Sequence, residues 1–329
     1  MAFLPVARFA LIILLGWVTM ANGQQSSEAT RVRQVGVLSI SLSEDSEEAA
    51  AFRRGLHEAG YVEGRDVSIG WWSGRGSYDK VADAAAALVK RKVDVIVVEG
   101  APAAIAAKRA TTTIPIVMAL VGDPVGIGVI QSLAHPGANI TGLTNQTVDL
   151  YAKRLQLLKE ALPKASRLGV LFNPDTPYSA SGVSRIKSGA AAVGLTLKLE
   201  SVRTTEQIQV AMTSLRRWKA DVIMPFDDAF MTPHVPAILE EAWKARVPVV
   251  YAYTPLVRRG VLLSYAVHHP DMFRRAASYV DKILKGATPS SLPVEQPTRF
   301  ELAVNLKTAD ALGFTISQSV LLQADDIVR

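Results

Sequence analysis

The sequence of 329 residues contains no cysteine. Disulfide bonds are therefore excluded, and so is catalysis by a cysteine nucleophile. The same absence excludes the lipid-modified cysteine that tethers many exported proteins to a membrane. The folded chain must rely on its hydrophobic cores for stability, and its length suggests two domains that each bury one.

Several signatures of enzymes are also missing. The chain has no G-x-S-x-G elbow, no Walker loop, no intact dinucleotide glycine fingerprint and no H-E-x-x-H motif. Among the five histidines only His268 and His269 are adjacent, and adjacent residues do not present metal ligands on one helix face. We therefore predict no catalytic residues, no metal site and no cofactor, and we expect a binding protein instead of an enzyme.

Long hydrophobic runs are scarce. The apolar run Phe9–Val18 has about ten residues, roughly half of what a helix needs to cross a bilayer. It follows the basic residue Arg8 and precedes the small-x-small triplet Ala21-Asn22-Gly23, a pattern typical of a cleavable signal peptide. We predict a signal peptide over residues 1–23 and, without a lipid anchor, a mature chain free in the periplasm. A membrane anchor or a buried helix is the alternative.

Charge does not point to a nucleic-acid partner. The formal net charge is +6, and the basic residues occur as scattered pairs such as Arg53-Arg54 and Arg216-Arg217. No recognised nucleic-acid motif accompanies them, and an export signal argues against DNA as a partner. Such pairs are typical of solvated helix faces, with docking onto a membrane partner as the alternative.

After the signal, short apolar runs alternate with helical patterns, which favours parallel sheets covered by helices. Five runs predict the strands of a first open α/β domain, at 34–40, 67–72, 93–99, 114–121 and 140–144. The helical patterns between them lie at 46–59, 77–91, 102–109 and 126–133. These elements are sufficient for one complete domain.

The alternation restarts with a helix at 150–162 and continues to a helix at 271–284. A strand at 302–305 and a short helix at 308–312 remain, too little to fold alone. The chain must therefore cross between the two domains more than once. We predict an α/β fold of two Rossmann-like lobes with open parallel sheets, joined by a hinge of several strands. Lobe 1 is expected to comprise residues 32–145 plus about 267–290, and lobe 2 residues 146–266 plus about 300–329.

Ligands of open α/β sheets bind beyond the carboxyl ends of the strands. On lobe 1 this rule selects Ser41, Gly100, Ala101, Asp123 and Asn145. In Gly100-Ala101-Pro102 the glycine admits a close ligand and the proline fits a first helical turn, so free backbone N–H groups could hold a carboxylate. The alternatives are a tight turn without a ligand, a helix cap at Asp123 and a hinge contact at Asn145.

On lobe 2 the same rule selects Asn173, Tyr178 and Asp227. Two adjacent acids, Asp227 and Asp228, end an apolar strand, where an uncompensated buried charge is unfavourable. A ligand ammonium facing Asp227 would compensate it; a capping role or a structural Arg or Lys partner is the alternative. A carboxylate site on one lobe and acids on the other would suit a zwitterion.

Three long segments resemble the family of ABC-transporter substrate-binding proteins that includes tryptophan- and aromatic-amino-acid-binding members. They are RRGLHEAGYVEGRDVSI near Arg53, TTTIPIVMALVGDPVGIGVIQSLAHPGANITGLTN from Thr111, and the stretch from Val261 that begins VLLSYAVHHPDMFRRAASYV. The resemblance implies the type 1 periplasmic-binding fold, with a ligand between two lobes, three connections between them, and an ABC permease in the inner membrane as partner.

The motifs of the family also suggest individual roles. Its D-P-V-G stretch corresponds to residues 123–126, and the acid that contacts a ligand amine corresponds to Asp227. Its S-Y-G hinge segment corresponds to Ser264-Tyr265-Ala266, so Tyr265 is expected to face the cleft. His268 stands where an acid is often found, which could change the pocket.

We expect an exported, monomeric solute-binding protein that captures a small molecule, an amino acid or related zwitterion, for an ABC importer. A periplasmic sensory protein and an exported α/β enzyme are the alternatives. A sugar-responsive repressor of similar fold would need an N-terminal DNA-binding segment, where this chain has the predicted signal.

Overall fold

In the computed structural model, which describes residues 31–329, the first apolar runs form one five-stranded parallel sheet. Its strands are β1 (Arg33–Ser39), β2 (Val67–Ser73), β3 (Val95–Glu99), β4 (Ile116–Val121) and β5 (Ile140–Thr144). Each lies within two residues of its predicted bounds. The predicted signal peptide, residues 1–23, lies outside the described residues.

Helices cover both faces of this sheet, so its central strands are apolar throughout. In β3, Val95 and Val97 pack into one core and Ile96 and Val98 into the other, because successive side chains point to opposite faces. The covering helices of the first half are α1 (Glu47–Glu58), α2 (Tyr78–Lys90) and α3 (Ala101–Ala110).

The strand order β2-β1-β3-β4-β5 places a switch point between β1 and β3. The chain leaves β1 toward one edge of the sheet and later continues from β3 toward the other. At such a point the loops after the two strands diverge and leave a crevice. The loops that follow β1 and β3 are therefore the favoured ligand site of lobe 1.

The second lobe contains six further strands in two three-stranded sheets. They are β6 (Arg167–Phe172), β7 (Thr196–Ser201), β8 (Val222–Pro225), β9 (Leu263–Val267), β10 (Phe300–Asn305) and β11 (Asp326–Val328). Isolated parallel bridges from Ile223 to Val249 and from Val250 to Leu263 link the sheets β7-β6-β8 and β9-β10-β11. The order β7-β6-β8 again creates a switch point, between β6 and β8.

The remaining helices follow the same alternation and pack around the strands of lobe 2, except for α8, which returns to lobe 1. They are α4 (Thr147–Ala161), α5 (Ser179–Ala192), α6 (Thr205–Arg217), α7 (Val235–Lys244), α8 (His269–Leu284), α9 (Leu306–Leu312) and α10 (Gln318–Gln323). Helix α8 lies so close to α1 that a Cβ on Gly55 would come within 2.4 Å of the Arg274 carbonyl oxygen.

The chain crosses between the lobes three times: after β5, after β9 and before β10. The segment between β9 and β10, which includes α8, is fixed to lobe 1, since Thr141 Oγ1 donates to the Leu292 carbonyl oxygen at 2.6 Å. The returning strand β10 runs antiparallel to β9, a departure from the purely parallel sheets expected from the sequence. The reason is the connection, because β10 re-enters lobe 2 after the α8 excursion.

Two details of the predicted secondary structure are wrong. Residues 126–133 form turns instead of a helix, because Gly128 adopts a left-handed φ of +71° immediately after a single turn at Pro124. Helix α10 and strand β11 are present although neither was predicted. With six and three residues, both are too short to show a clear periodic pattern.

Within the described residues, no helix combines the length and apolarity needed to cross a membrane.

Candidate functional site

A cavity of about 310 Å³ lies between the two lobes, at the lower end of the roughly 300–1,000 Å³ typical of small-molecule sites. Lobe 1 lines it with the loops that follow β1 and β3, and lobe 2 with the loops that follow β6 and β8. These are the switch points of both sheets. The topology therefore directs the carboxyl ends of strands from both lobes toward one shared space.

Six of the nine residues selected from the sequence line this cavity. They are Ser41, Gly100, Ala101, Asn145, Tyr178 and Asp227. All but Asn145 belong to loops at the switch points, whereas Asn145 follows β5 at the first crossing between the lobes. Their shared location comes from the fold, since they are widely separated along the chain.

The structure puts the other three elsewhere. Asp123 lies in a neighbouring cavity of about 240 Å³, where its carboxylate accepts from the Gly126 amide at 3.0 Å and from Ser181 Oγ at 3.2 Å. Asn173 is buried and holds its own turn by accepting from the Asp175 amide at 3.0 Å. Tyr265 lies behind Asp227 in a space of only about 10 Å³ and stacks on Phe300.

The two lobes touch directly across the cleft. Tyr253 Oη donates to Glu48 Oε1 at 3.1 Å, and the Tyr78 and Thr176 hydroxyl oxygens are 3.5 Å apart. Gly122 of lobe 1 faces Tyr178 of lobe 2 so closely that a Cβ would meet the ring at 3.3 Å. The protein is therefore in a closed arrangement.

Asp227 has a structural partner, one of the two alternatives that its sequence context left open. Arg154 Nη2 donates to Asp227 Oδ2 at 3.1 Å, and Thr147 Oγ1 donates to the same oxygen at 3.2 Å. The Asp227 side chain remains 20% exposed and lines the cavity. Since both contacts use Oδ2, Asp227 Oδ1 is left for a group in the cleft.

The neighbouring Asp228 stabilises its own loop. It is 4% exposed and accepts from Thr176 Oγ1 at 2.9 Å and from the Met231 amide at 2.7 Å. Burial raises the pKa of Asp228 to about 7, although these hydrogen bonds oppose the shift. The two adjacent acids thus have different roles, and Asp228 is a loop cap.

Lobe 1 contributes two acids that the sequence reasoning missed. Glu48, in the first turn of α1, accepts from Tyr253 and lies 3.7 Å from His269 Nδ1. Burial alone would raise the pKa of Glu48, but its contacts with His269 and Tyr253 lower it below the usual value. Glu99, the last residue of β3, is half-buried, and burial raises its pKa to about 7.

A signal for Glu99 was present in the sequence. The run VIVVE ends an apolar strand with a charged residue, the same pattern that selected Asp227. The rule that ligands bind beyond the carboxyl ends of strands selects residues after a strand, and Glu99 is the last residue of the predicted strand itself. Glu48 offered no comparable signal, because acids in a first helical turn are common for reasons of helix stability alone.

The lining is acidic on both sides. Four carboxyl groups contribute to it, from Glu48, Glu99, Asp227 and Asp228, and within residues 31–329 no lysine or arginine does. Helix α3 begins after Gly100, which lines the cavity, has a φ of +84° and offers no capping side chain. Because Glu99 directly precedes this turn, its carboxyl group weakens the attraction there for an anion. The cavity as a whole favours a positively charged group.

Aromatic rings form part of the lobe 2 wall. Tyr178 stacks on Phe226 with ring centroids 5.7 Å apart, and Phe226 packs on Tyr151 at 5.2 Å. Tyr178 Oη also donates to the Asp227 carbonyl oxygen at 2.7 Å. These contacts hold Tyr178 rigidly beside Asp227, so an apolar surface adjoins a carboxylate.

Comparison with known proteins identifies related sequences and structures. A model of the family described as ABC transporter substrate binding protein matches residues 34–328. A tyrosine-binding protein of Clostridioides difficile (strain R20291) is 25% identical over 294 residues, which are 89% of this chain and 84% of that protein. An ABC domain from Streptococcus pneumoniae, solved in complex with L-Trp, has a TM-score of 0.84 at 27% identity and covers 90% of this chain and 100% of its own.

A second solved structure is also similar to this chain. The ligand-free, open structure of a substrate-binding protein from Clostridium difficile is 25% identical and covers 90% of this chain and 99% of its own, yet its TM-score is 0.67. Identity and coverage are close to those of the L-Trp complex, whereas the TM-score is lower.

Proposed function

Since the chain belongs to the family of ABC transporter substrate-binding proteins, we propose that its cleft holds a small solute by an ammonium group placed against Asp227. Family membership makes the chain a solute-binding protein that serves an ABC transporter and not an enzyme, in agreement with the expectation from the sequence. The identity of the solute and the residues that hold it are the proposal.

The acidic lining of a cavity closed by both lobes carries this proposal. An ammonium group at Asp227 would make a charge-assisted hydrogen bond to the oxygen that Arg154 and Thr147 leave open. The apolar part of the solute would lie against Tyr178. The named relatives support an amino acid, because one is a tyrosine-binding protein and another was solved with L-Trp.

We propose ligand-stabilised closure as the mechanism. A solute that contacts both lobes stabilises the closed state relative to the open one by its difference in affinity for the two. The moving bodies would be residues 32–145 with about 267–290, and residues 146–266 with about 300–329, because α8 packs on α1 and β10 pairs with β9. The three crossings would form the hinge.

The cellular setting is a further part of the proposal. The predicted signal peptide at residues 1–23 and the family both favour export to the periplasm, where the mature chain would act as a monomer without a lipid anchor. The closed form would dock on the permease of an ABC importer in the inner membrane. No nucleic-acid partner is proposed.

The test combines a thermal-shift screen with a pair of isosteric variants. The mature protein is screened against amino acids, nucleosides and small organic acids, and the best solute is titrated by calorimetry into wild type, Asp227→Asn and Asp83→Asn. We expect Asp227→Asn to bind about ten- to a hundredfold more weakly, as for a lost hydrogen bond to a charged group. Asp83→Asn is the matched control and should bind like wild type, because Asp83 is an exposed acid on α2 that does not line the cavity.

Unchanged affinity in Asp227→Asn would contradict the proposed contact. An equal loss in Asp227→Asn and Asp83→Asn would also contradict it, because the effect would then arise from the change in net charge and not from a contact with the solute.

A further inference from the structure

Glu99 differs from the other acids of the cleft in having a buried carboxyl oxygen without a hydrogen-bond partner. Its Oε2 is enclosed by the protein and has no hydrogen-bond partner, and its residue lines the cavity. Glu48, Asp227 and Asp228 each accept hydrogen bonds from side chains or amides nearby. Within residues 31–329, Glu99 is thus the lining acid whose carboxyl group contains an enclosed and unpaired acceptor.

An enclosed acceptor without a donor is unfavourable by about 1–3 kcal/mol, and more when it is charged. Folded proteins rarely leave such groups unpaired without a functional reason. Because Glu99 is one of the residues that line the cavity, the cavity is the space from which we expect a donor to approach this carboxyl group. A bound solute that supplies one would remove the penalty, so Glu99 adds to the affinity for a solute with a donor on that side.

The surrounding charges decide which kind of donor suits the position. Glu48 from α1 and Asp227 from the loop after β8 add negative potential at Glu99, and the Tyr253 hydroxyl also faces it. His269, the first residue of α8, and the amide of Ile40 act in the opposite direction. With Arg154 behind Asp227 and outside the lining, the field favours a cation over a neutral donor.

We propose that Glu99 forms a second cation-binding subsite on lobe 1, so that the cleft selects solutes with two positively charged groups, the class of the dibasic amino acids. This inference rests on the proposed function, in which a first ammonium group lies against Asp227. It adds a distal ammonium or guanidinium group held by Glu99. A solute bound at both acids would connect the two lobes by charge and would therefore favour closure.

The pH dependence follows from the same subsite. The pKa of Glu99 is raised to about 7, so the carboxyl group is mostly protonated at pH 6 and mostly ionised at pH 8. A cation binds the ionised form. Affinity for a dibasic solute should therefore rise about tenfold from pH 6 to pH 8, and affinity for a neutral analogue should rise much less.

The experiment uses pairs of solutes that differ in the distal charge. L-arginine is compared with L-citrulline, and L-lysine with L-norleucine, by calorimetry on wild type, Glu99→Gln and Asp83→Asn. Asp83 is an exposed acid on α2, so its variant makes the same change in net charge away from the cleft. We expect the basic member of at least one pair to bind wild type and Asp83→Asn at least tenfold more tightly than its neutral partner. In Glu99→Gln the difference should fall below about threefold.

Equal affinity within both pairs on wild type would overturn the proposal, and so would a preference that survives in Glu99→Gln. Failure of all four probes to bind would also overturn it. If another amino acid binds and Asp227→Asn weakens it, the proposed function stands while the second subsite is rejected. If Glu99→Gln folds poorly, the second subsite is tested instead by the pH dependence of the affinity of wild type for L-arginine and L-citrulline.

Discussion

Replacing Arg154 with methionine is expected to lower the free energy of unfolding by about 3 kcal/mol, the low end of the range for a broken buried ion pair. The Arg154 side chain is 8% exposed, and its Nη2 donates to Asp227 Oδ2 at 3.1 Å. Its Nε donates to the Tyr265 carbonyl oxygen at 2.8 Å. Methionine leaves both acceptors without these donors. Asp227 keeps a fifth of its side chain exposed, which limits the loss. Urea denaturation followed by circular dichroism measures it.

Two further variants show whether this loss of stability comes from the buried ion pair. Arg154→Met combined with Asp227→Asn should recover about half of the loss, because the unpaired charge is then removed together with its partner. Lys244→Met is the matched control, since Lys244 makes only exposed ion pairs with Glu240 and Glu241, and should change stability by less than about 1 kcal/mol. A loss for Arg154→Met no larger than for Lys244→Met would contradict the structural role.

Replacing Gly142 with alanine is expected to destabilise lobe 1 by more than about 4 kcal/mol. A loss of stability this large is exceptional and is caused by severe steric overlap or backbone strain. Gly142 lies in β5 with a φ of +124°, and a Cβ would come within 2.2 Å of the Met118 carbonyl oxygen and 2.5 Å of its nitrogen. These are backbone atoms of the adjacent strand β4. The Gly142 carbonyl oxygen also accepts from the Glu295 amide at 2.9 Å, so the strand is fixed on both sides and cannot move away. Soluble yield and melting temperature measure the loss.

Gly194→Ala separates steric overlap from backbone strain. Gly194 also has a positive φ, of +70°, but nothing lies within 4 Å of a Cβ there. Its substitution should therefore lower stability by about 1–2 kcal/mol, the usual effect of an L-residue in the left-handed region. Equal losses for the two variants would show that the contact with Met118 has no effect of its own.

The apolar runs of the sequence predicted the strands on either side of the switch point in both lobes. Most of the cleft is formed by residues that follow these strands. Gly100 and Asp227 could be selected because each follows a strand that is recognisable from its own residues. Arg154 could not be assigned as the partner of Asp227, because it is 73 positions away on a helix and only the folded chain brings the two together. Contacts between distant elements depend on packing that no local pattern encodes.

Tyr265 and Asn173 illustrate a different limit. Asn173 directly follows β6, whereas Tyr265 lies in the middle of β9, and neither side chain lines the cavity between the lobes. The position of a residue along a strand does not determine whether its side chain reaches the cleft or the lobe interior. That depends on the direction of the side chain, which alternates with each residue, and an error of one residue in a boundary reverses it.

The central claim is that a solute is held between the lobes and stabilises their closure. The absence of cysteine makes it accessible to measurement, because two introduced cysteines would be the only labelling sites. Asp83→Cys on α2 and Lys187→Cys on α5 are both exposed. The two helices flank the cleft near Tyr78 and Thr176, which face each other across it at 3.5 Å.

The decisive measurement is the distance distribution between spin labels at these two positions, recorded with and without a saturating concentration of the solute that the thermal-shift screen identifies. Ligand-stabilised closure predicts a shorter and narrower distribution with the solute, and a smaller change in Asp227→Asn at the same concentration, because that variant is expected to bind the solute more weakly. An identical distribution with and without a solute that demonstrably binds would contradict it.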